Sequence, residues 1–427
     1  MQEIFYNGNI STNNENNDTL KAMIVNEGSI VYVGDNEEVL NLKTEDTKVH
    51  ELKSKYLYPT MFDFKDNIFE VLSERLKNAK KIKEIQNSDE INEDYENFAN
   101  FELYKKEYLK LEKEFIKQGV STISTTKIGK LEFAFWKKMS EEKCLSVDIV
   151  GYVDMISAKQ VMDDNCVTYR NYRKHFRLGG YYLKIDGKIQ ELKAWLKKSY
   201  LGSKTYFGFS EISEEQLYYL VKEALGEKKQ ILFDVSGDKA IQEVLSVFDE
   251  VSTKDNITEF YRPIFYGVGV VDKKIYDKLK KYDVTLILEN LDKKSMSKVK
   301  KFIGFGRKLK FQNYKSLINN NIRFIFATDN FESIGLENFK KSILFQKSKI
   351  ISKVLKNDKT LQNFTNILYN LIYSNPAYIC FDQDKKMSLE TQKQASFVIL
   401  EKSIIDMLSE EDKFSVKNTY IEGEKKL

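Results

Sequence analysis

The sequence predicts an α/β protein, a TIM (β/α)8 barrel with a small composite β-sandwich domain built from both termini. Two observations lead to this fold class. Short apolar segments alternate with helical patterns through the middle of the chain, and β-type patterns with turn residues occur at both ends. With 427 residues, the chain is long enough for such a barrel, typically about 250 residues, and for an accessory domain.

The N-terminal segment has the pattern of short strands joined by tight turns. Glu3–Tyr6 runs into Asn7-Gly8. Ala22–Val25 is followed in the same way by Glu27-Gly28. Alternating apolar residues bounded by Asn and Gly are typical of β-hairpins. A small β unit is therefore predicted, ending near Tyr58.

The C-terminal segment returns to the same β pattern. Ala395–Leu400 and Asn418–Gly423 have the length and composition of strands. We expect them to join the N-terminal strands. Residues 1–58 and 376–427 then form one composite β-sandwich domain, and residues 59–375 form the barrel.

The central region alternates between the two kinds of secondary structure. Several of the strand candidates are almost continuously apolar, as expected for strands that helices cover on both faces. The predicted strands are Tyr58–Phe64, Val120–Thr125, Ser146–Val153, Tyr181–Ile185, Gln230–Ser236, Pro263–Val268, Val284–Glu289 and Ile322–Thr328. The predicted helices are Glu96–Lys117, Glu214–Leu225, Lys239–Val251, Lys273–Lys281 and Leu336–Leu355.

Bulk composition excludes several classes of partner. Lys and Arg total 68 against 64 Asp and Glu, and the two signs are interleaved, so no nucleic-acid partner is expected. No apolar run reaches the roughly 20 residues that cross a bilayer, and no signal-peptide pattern opens the chain. Three scattered cysteines do not suggest a disulfide framework. We therefore predict a cytoplasmic protein without a membrane partner.

Several segments resemble the amidohydrolase superfamily of metal-dependent hydrolases. The segment Leu57–Asn67, LYPTMFDFKDN, resembles the first barrel strand of that superfamily, PGFIDAHxH. The segment Gly179–Gly187, GGYYLKIDG, is similar to GGxKLFxDG. The segment Ile231–Glu250 is similar to VAxHAIGDxAVDxVLDAFE. The last two point to the branch that contains N-substituted formamide deformylase, amidohydrolase family 3.

The resemblance implies a set of metal-ligand positions, most of which are substituted here. The family carries a histidine pair on strand 1, a lysine on strand 4, histidines on strands 5 and 6, and an aspartate on strand 8. A catalytic zinc needs about three nitrogen, sulfur or carboxylate donors, and the whole chain has two histidines. The residues at the substituted positions are Lys65, Asn67, Tyr182, Asp234 and Gly267; the strand-8 acid is retained as Asp329.

Two functions follow as hypotheses. The first is a catalytically inactive homologue that binds an unknown small molecule or a partner, with no metal cofactor. The alternative is an active hydrolase of C–N bonds in amides that uses an atypical site around Asp234, Asp329 and Lys184, with or without a divalent metal such as zinc. Lys184 and Asp238 are further candidates at the barrel mouth, and a homodimer is possible because such barrels often pair through helices.

Three charged residues near strand 1 receive separate predictions. If the barrel forms, Lys65 points into its mouth near Asp234 and Asp329 and replaces the charge of the metal; alternatively, Lys65 extends to solvent. Asp63 and Asp66 cannot both face inward without a bend, because successive strand residues point to opposite faces.

The basic run before strand 4 contains His175. It is predicted to be a surface histidine of a loop. An anion-binding loop over the barrel mouth is the alternative.

Overall fold

A computed structural model describes residues 1–79, 100–163, 169–252, 261–308, 310–327, 335–336, 358–409 and 416–427. The predicted site residue Asp329 lies outside this described part, and so does the predicted helix Leu336–Leu355 apart from its first residue. In the described part, no helix is both long enough and apolar enough to span a membrane.

The N-terminal region consists mainly of short strands. Its elements are β1 (Gln2–Tyr6), β2 (Asn9–Ser11), β3 (Thr19–Leu20), β4 (Ala22–Asn26), β5 (Ser29–Gly34), α1 (Asn36–Asn41), β6 (Lys48–Glu51) and β7 (Tyr56–Pro59).

The central region alternates strands and helices. Its first half contains β8 (Met61–Phe64), α2 (Ile68–Asn78), α3 (Phe101–Lys117), β9 (Val120–Ile128), α4 (Lys130–Glu141), β10 (Asp148–Asp154), β11 (Phe176–Lys184) and α5 (Glu214–Gly226). Its second half contains β12 (Ile231–Asp234), α6 (Asp238–Ser252), β13 (Ile264–Tyr266), α7 (Tyr276–Lys281), β14 (Thr285–Glu289), α8 (Lys293–Lys308), α9 (Tyr314–Asn319), β15 (Phe324–Ala327), α10 (Asp358–Tyr369) and α11 (Asn375–Ile379). The chain closes with β16 (Phe397–Leu400), α12 (Ile404–Ser409), β17 (Asn418–Ile421) and β18 (Glu424–Lys425).

Strands β8 to β15 form one eight-stranded parallel sheet in sequential order. This arrangement confirms the predicted TIM barrel. The two faces of the sheet are identified by ring contacts. Phe233 and Phe265 both pack against Phe248 of the covering helix α6, so they point outward. Phe64 of β8 contacts Tyr266 of β13, with ring centroids 5.3 Å apart. Since these two strands are not neighbours, the pair lies in the barrel interior.

The predicted composite β unit is also present. Strand β16 pairs antiparallel with β7, with Phe397 opposite Pro59, so strands from both termini share a six-stranded sheet of order β18-β17-β16-β7-β2-β3. A four-stranded sheet, β5-β4-β1-β6, packs on it. Phe5 of one sheet contacts Phe397 and Tyr420 of the other. Their burial provides the apolar core of a sandwich.

A buried polar network closes the amino-terminal end of the barrel. The guanidinium of Arg177 donates to the carbonyl of Cys380 and lies 3.4 Å from Asp382. The ammonium of Lys386 lies 2.5 Å from Asp148 and donates to the hydroxyl of Thr122 at 2.9 Å. These charges are buried but matched by opposite charges, as buried ions require.

Candidate functional site

The carboxyl ends of parallel barrel strands meet at one mouth, where side chains from several strands come together. In this chain the mouth is lined by charged residues at or just after the strand ends. They are Asp66, Lys127, Lys184, Asp234 and Glu289. Tyr182 lies two residues before Lys184 and faces the same side of strand β11.

Tyr182 and Asp234 form the inner part of this site. Strand β11 pairs with β12 so that Lys184 lies opposite Asp234, which places Tyr182 beside the carboxylate. The phenol of Tyr182 donates to Oδ2 of Asp234 at 2.6 Å. Burial raises the pKa of Asp234 to about 6, and the nearby carboxylate of Asp66 raises it too, although the Tyr182 hydrogen bond acts in the opposite direction. Burial also raises the pKa of Tyr182.

Lys127 supplies the positive charge next to this pair. Its ammonium lies 2.9 Å from Oδ2 of Asp66 and 5.9 Å from the centre of the Tyr182 ring. The other oxygen of Asp66 accepts from the hydroxyl of Thr126 at 2.8 Å. Burial lowers the pKa of Lys127, but the carboxylates of Asp66, Asp234 and Glu70 together outweigh burial and leave this pKa above its usual value. Lys127 has φ +56°, a backbone conformation that costs energy for a residue with a Cβ and that occurs often at functional sites.

Glu289 and Lys188 complete the described charges on the far side of the mouth. Their side chains lie 2.9 Å apart, from Nζ to Oε1. Gly267, between Asp234 and Glu289, has φ +73°, and a Cβ at this position would lie 3.2 Å from Oδ1 of Asp234 and 3.6 Å from Oε1 of Glu289. The absent side chain therefore leaves space next to both carboxylates.

The other two barrel-mouth candidates have separate contacts. Lys184 lies on the rim and forms an ion pair with Glu211 at 2.5 Å. Asp238 accepts from the backbone N–H of Lys197 at 2.9 Å, so this carboxylate anchors a loop. The aspartate of the DG motif, Asp186, is buried and accepts from three backbone N–H groups, those of Trp195, Ser236 and Gly237.

The prediction that Lys65 points into the mouth is wrong. Lys65 is fully buried, and its ammonium lies 3.2 Å from Oδ2 of Asp63 and 6.0 Å from the ring centre of Phe115 on α3. Both acid and base therefore lie between the barrel wall and its outer layer of helices. The physical reason is strand alternation: Phe64 faces inward, so its neighbours Asp63 and Lys65 face outward. Of the two acids flanking this position, only Asp66 contributes to the mouth.

Asn67 has a structural role in this fold. Its side chain accepts from the backbone N–H of Glu70 at 3.0 Å and caps α2. Asparagine is among the preferred residues for this position because it satisfies an N–H that the helix leaves without a partner.

The described mouth residues do not fit the divalent metal that the family resemblance implies. Lys65 and Asn67 are engaged elsewhere, Gly267 has no side chain, and Tyr182 holds Asp234 through its hydroxyl. Both oxygens of Asp66 are engaged, by the ammonium of Lys127 and the hydroxyl of Thr126, and neither histidine of the chain lies at the mouth. Among the described residues, one group of three potential metal ligands comes together. It consists of Asp148, His175 and Glu422 and lies away from the mouth.

Lys127, Lys188 and Glu289 were not among the residues predicted for the site. Lys127 and Glu289 had a usable signal, because Glu289 ends a predicted strand and Lys127 stands two residues after the end of another, where barrel sites form. Lys188 is the N-cap of a short 3-10 helix, Ile189–Glu191, in the loop after β11, and no periodic pattern indicates where its side chain points.

The sequence matches the profile of the Amidohydrolase family over residues 99–425. This match covers most of the chain, and the protein belongs to that family. The assignment to the formamide deformylase branch has no support beyond the sequence resemblance. No curated protein sequence matches significantly.

Solved structures show the same fold. An uncharacterized metal-dependent hydrolase from Pyrococcus furiosus superposes with a TM-score of 0.73 at 14% identity and covers 95% of this chain and 100% of its own. Its counterpart from Pyrococcus horikoshii gives 0.74 at 15% identity, with 95% and 98% covered. Ochratoxinase from A. niger gives 0.59 at 12% identity, with 99% and 95% covered. At these identities the similarity defines the fold and leaves the chemistry to the residues of this chain.

Proposed function

We propose that this amidohydrolase-family protein is a non-hydrolytic member whose barrel mouth binds a small anionic molecule. One observation carries the first half of the proposal. Two positions that hold metal ligands in the family, Tyr182 and Asp234, are hydrogen-bonded to each other at 2.6 Å. Neither histidine of the chain lies at the mouth, so the nitrogen donors that zinc prefers are missing there.

The sign of the ligand follows from the exposure of the ion pairs at the mouth. In each described pair the ammonium is more exposed than the carboxylate. The fractions are 29% for Lys127 against 24% for Asp66, 35% for Lys188 against 5% for Glu289, and 40% for Lys184 against 32% for Glu211. The mouth therefore offers cationic donors to solvent, and these suit a carboxylate or phosphate group.

Metal binding and anion binding are measured separately. The full chain is stripped with a chelator and titrated calorimetrically with zinc, in the wild type and in Asp234→Asn. We expect that any zinc bound by the wild type is bound equally by Asp234→Asn. Zinc bound with near one equivalent and lost in this variant would overturn the proposal.

A panel of small carboxylates and phosphates is then tested by thermal shift. Lys127→Met and Lys188→Met should each weaken binding of any hit by about 10- to 100-fold, because a hydrogen bond to a charged group contributes about 1.5–3 kcal/mol. Lys278→Met serves as the matched control, since Lys278 is also ion-paired but lies on the outer helix α7. Equal loss in all three variants would contradict a specific site at the mouth.

A metal-free hydrolase is the second candidate. The pKa of Asp234, raised to about 6, is in the range of a general base that works near neutral pH. This candidate predicts amide hydrolysis that falls below pH 6, as Asp234 becomes protonated, and that Asp234→Asn abolishes. If the protein binds anions but hydrolyses none of a panel of amides, the non-hydrolytic anion-binding function is supported and the hydrolase is rejected.

A further inference from the structure

A second cluster of chemically active side chains lies at the opposite end of the barrel from the mouth. Nδ1 of His175 is 2.8 Å from Oδ1 of Asp148, at the start of β10. The carboxylate of Glu422 is the third member, and one ligand atom from each residue lies within 4.8 Å of the other two. The three residues come from the barrel wall, the turn before β11 and the C-terminal hairpin. The cluster thus bridges the barrel and the composite sandwich.

Two tight turns hold the outer members in place. Arg173 pairs with Phe176 across a two-residue turn in which Lys174 and His175 have φ +48° and +69°. Such turns usually contain Asn-Gly, because both central residues need positive φ. The turn between β17 and β18 repeats the pattern with Glu422 at φ +51°. Strained backbone that presents a His and a Glu to the same point is typical of a functional site.

Each carboxylate is oriented by a second contact. Oδ2 of Asp148 is held by the ammonium of Lys386 at 2.5 Å, and Oε1 of Glu422 accepts from the amide of Gln394 at 2.7 Å. The contacts leave Oδ1 of Asp148 directed at the imidazole and leave Oε2 of Glu422 available. Outer contacts that fix ligand oxygens in this way are a regular feature of metal sites.

The surrounding charges permit a cation. Lys386 is shared with a second carboxylate, that of Asp382 at 3.5 Å. Two further lysines line the adjoining cleft. The ammonium of Lys174 donates to the carbonyl of Glu141 at 3.1 Å, and Lys385 is exposed, so solvent screens its charge. A cleft of about 410 Å³, lined in part by His175, Glu422 and Gln394, opens next to the three ligand groups and provides an entry path.

We propose that Asp148, His175 and Glu422 form a binding site for a divalent ion of the zinc type. One imidazole and two carboxylates are a donor set that zinc accepts, with a fourth position open to the cleft. The ion replaces the proton shared by His175 and Asp148 and clamps the C-terminal hairpin to the barrel. The site is independent of the proposed function of the mouth.

The test uses the full chain, stripped with a chelator and titrated with zinc. We expect one equivalent to bind and to raise the melting temperature, because an ion that binds only the folded state stabilises it. Glu422→Gln and His175→Asn should abolish this shift. Gln394→Ala, which removes only the orienting amide, should weaken zinc binding by about 10- to 100-fold.

Two controls distinguish this site from zinc binding at the mouth and from a loss of folding. Asp234→Asn changes the mouth alone and should leave zinc affinity unchanged. Glu422 is exposed, so Glu422→Gln keeps the fold, and asparagine tolerates the positive φ at position 175, so His175→Asn keeps the turn. Absence of zinc binding in the wild type overturns the proposal, and so does equal affinity in the wild type and Glu422→Gln.

Discussion

The phenol of Tyr182 lies 2.6 Å from Oδ2 of Asp234, in the interior of the barrel mouth. The sequence resemblance predicts that both residues occupy metal-ligand positions of the amidohydrolase family, and here they bind each other. This hydrogen bond and the ammonium of Lys127 beside Asp66 give Tyr182, Asp234 and Asp66 polar partners from the protein itself. The effect of this arrangement on the free energy of unfolding can be measured with substitutions in and around the barrel.

The raised pKa of Asp234 makes stability depend on pH. An unfolded aspartate titrates near 3.9, and Asp234 in the folded protein titrates at about 6. Between these values the folded state binds more protons, so this group's contribution to stability falls as pH rises from about 4 to about 6. Asp234→Asn removes the effect. As pH rises from 4 to 7, the free energy of unfolding of the variant should increase by about 1–3 kcal/mol relative to that of the wild type, as measured by urea unfolding. A difference that is constant with pH would contradict the prediction.

The buried pair of Lys65 and Asp63 should be sensitive to the loss of one partner. Lys65→Met leaves the carboxylate of Asp63 buried without its ammonium, which costs about 3–5 kcal/mol. The double variant Asp63→Asn/Lys65→Met should recover a large part of this loss, because no uncompensated charge remains. Chemical denaturation of the wild type, the two single variants and the double variant gives the coupling. Strict additivity of the two single losses would show that the pair does not act as a unit.

The backbone at Lys127 should store strain that a glycine releases. Lys127→Ala and Lys127→Gly both remove the ammonium, but only glycine adopts φ +56° without steric cost. We expect the glycine variant to be about 1 kcal/mol more stable than the alanine variant, measured by thermal unfolding at one pH. Equal stability of the two variants would show that this conformation carries no strain.

The space at Gly267 should not tolerate a side chain. Gly267→Ala places a Cβ 3.2 Å from Oδ1 of Asp234 in a backbone with φ +73°, and a loss of about 1–3 kcal/mol is expected. Gly226→Ala is the matched control, because it ends α5 with no atom near its Cβ position. That control should gain up to about 1 kcal/mol. Similar changes in the two variants would be evidence against local strain at Gly267.

The sequence by itself determined the architecture of this protein. Period-two alternation and apolar runs located the barrel strands, and the two terminal β patterns predicted the composite sandwich, because burial imposes a regular spacing on apolar residues. The family motifs also identified Tyr182 and Asp234 as barrel-mouth residues. These features depend on local patterns, which can be read directly from the sequence.

Only the tertiary structure decided which charges meet. A shift of one residue in strand β8 moves Lys65 from the mouth to the outer wall, since adjacent strand residues face opposite sides. Lys127 takes the place beside Asp66 through a strained backbone that no propensity predicts. His175, expected in a surface loop, lies at the amino-terminal end of the barrel against Asp148, so an anion-binding loop over the mouth is excluded for it. Its partner Glu422 is nearly 250 residues away. Contacts of this range arise from closure of the whole barrel and sandwich, and sequence spacing carries no record of them.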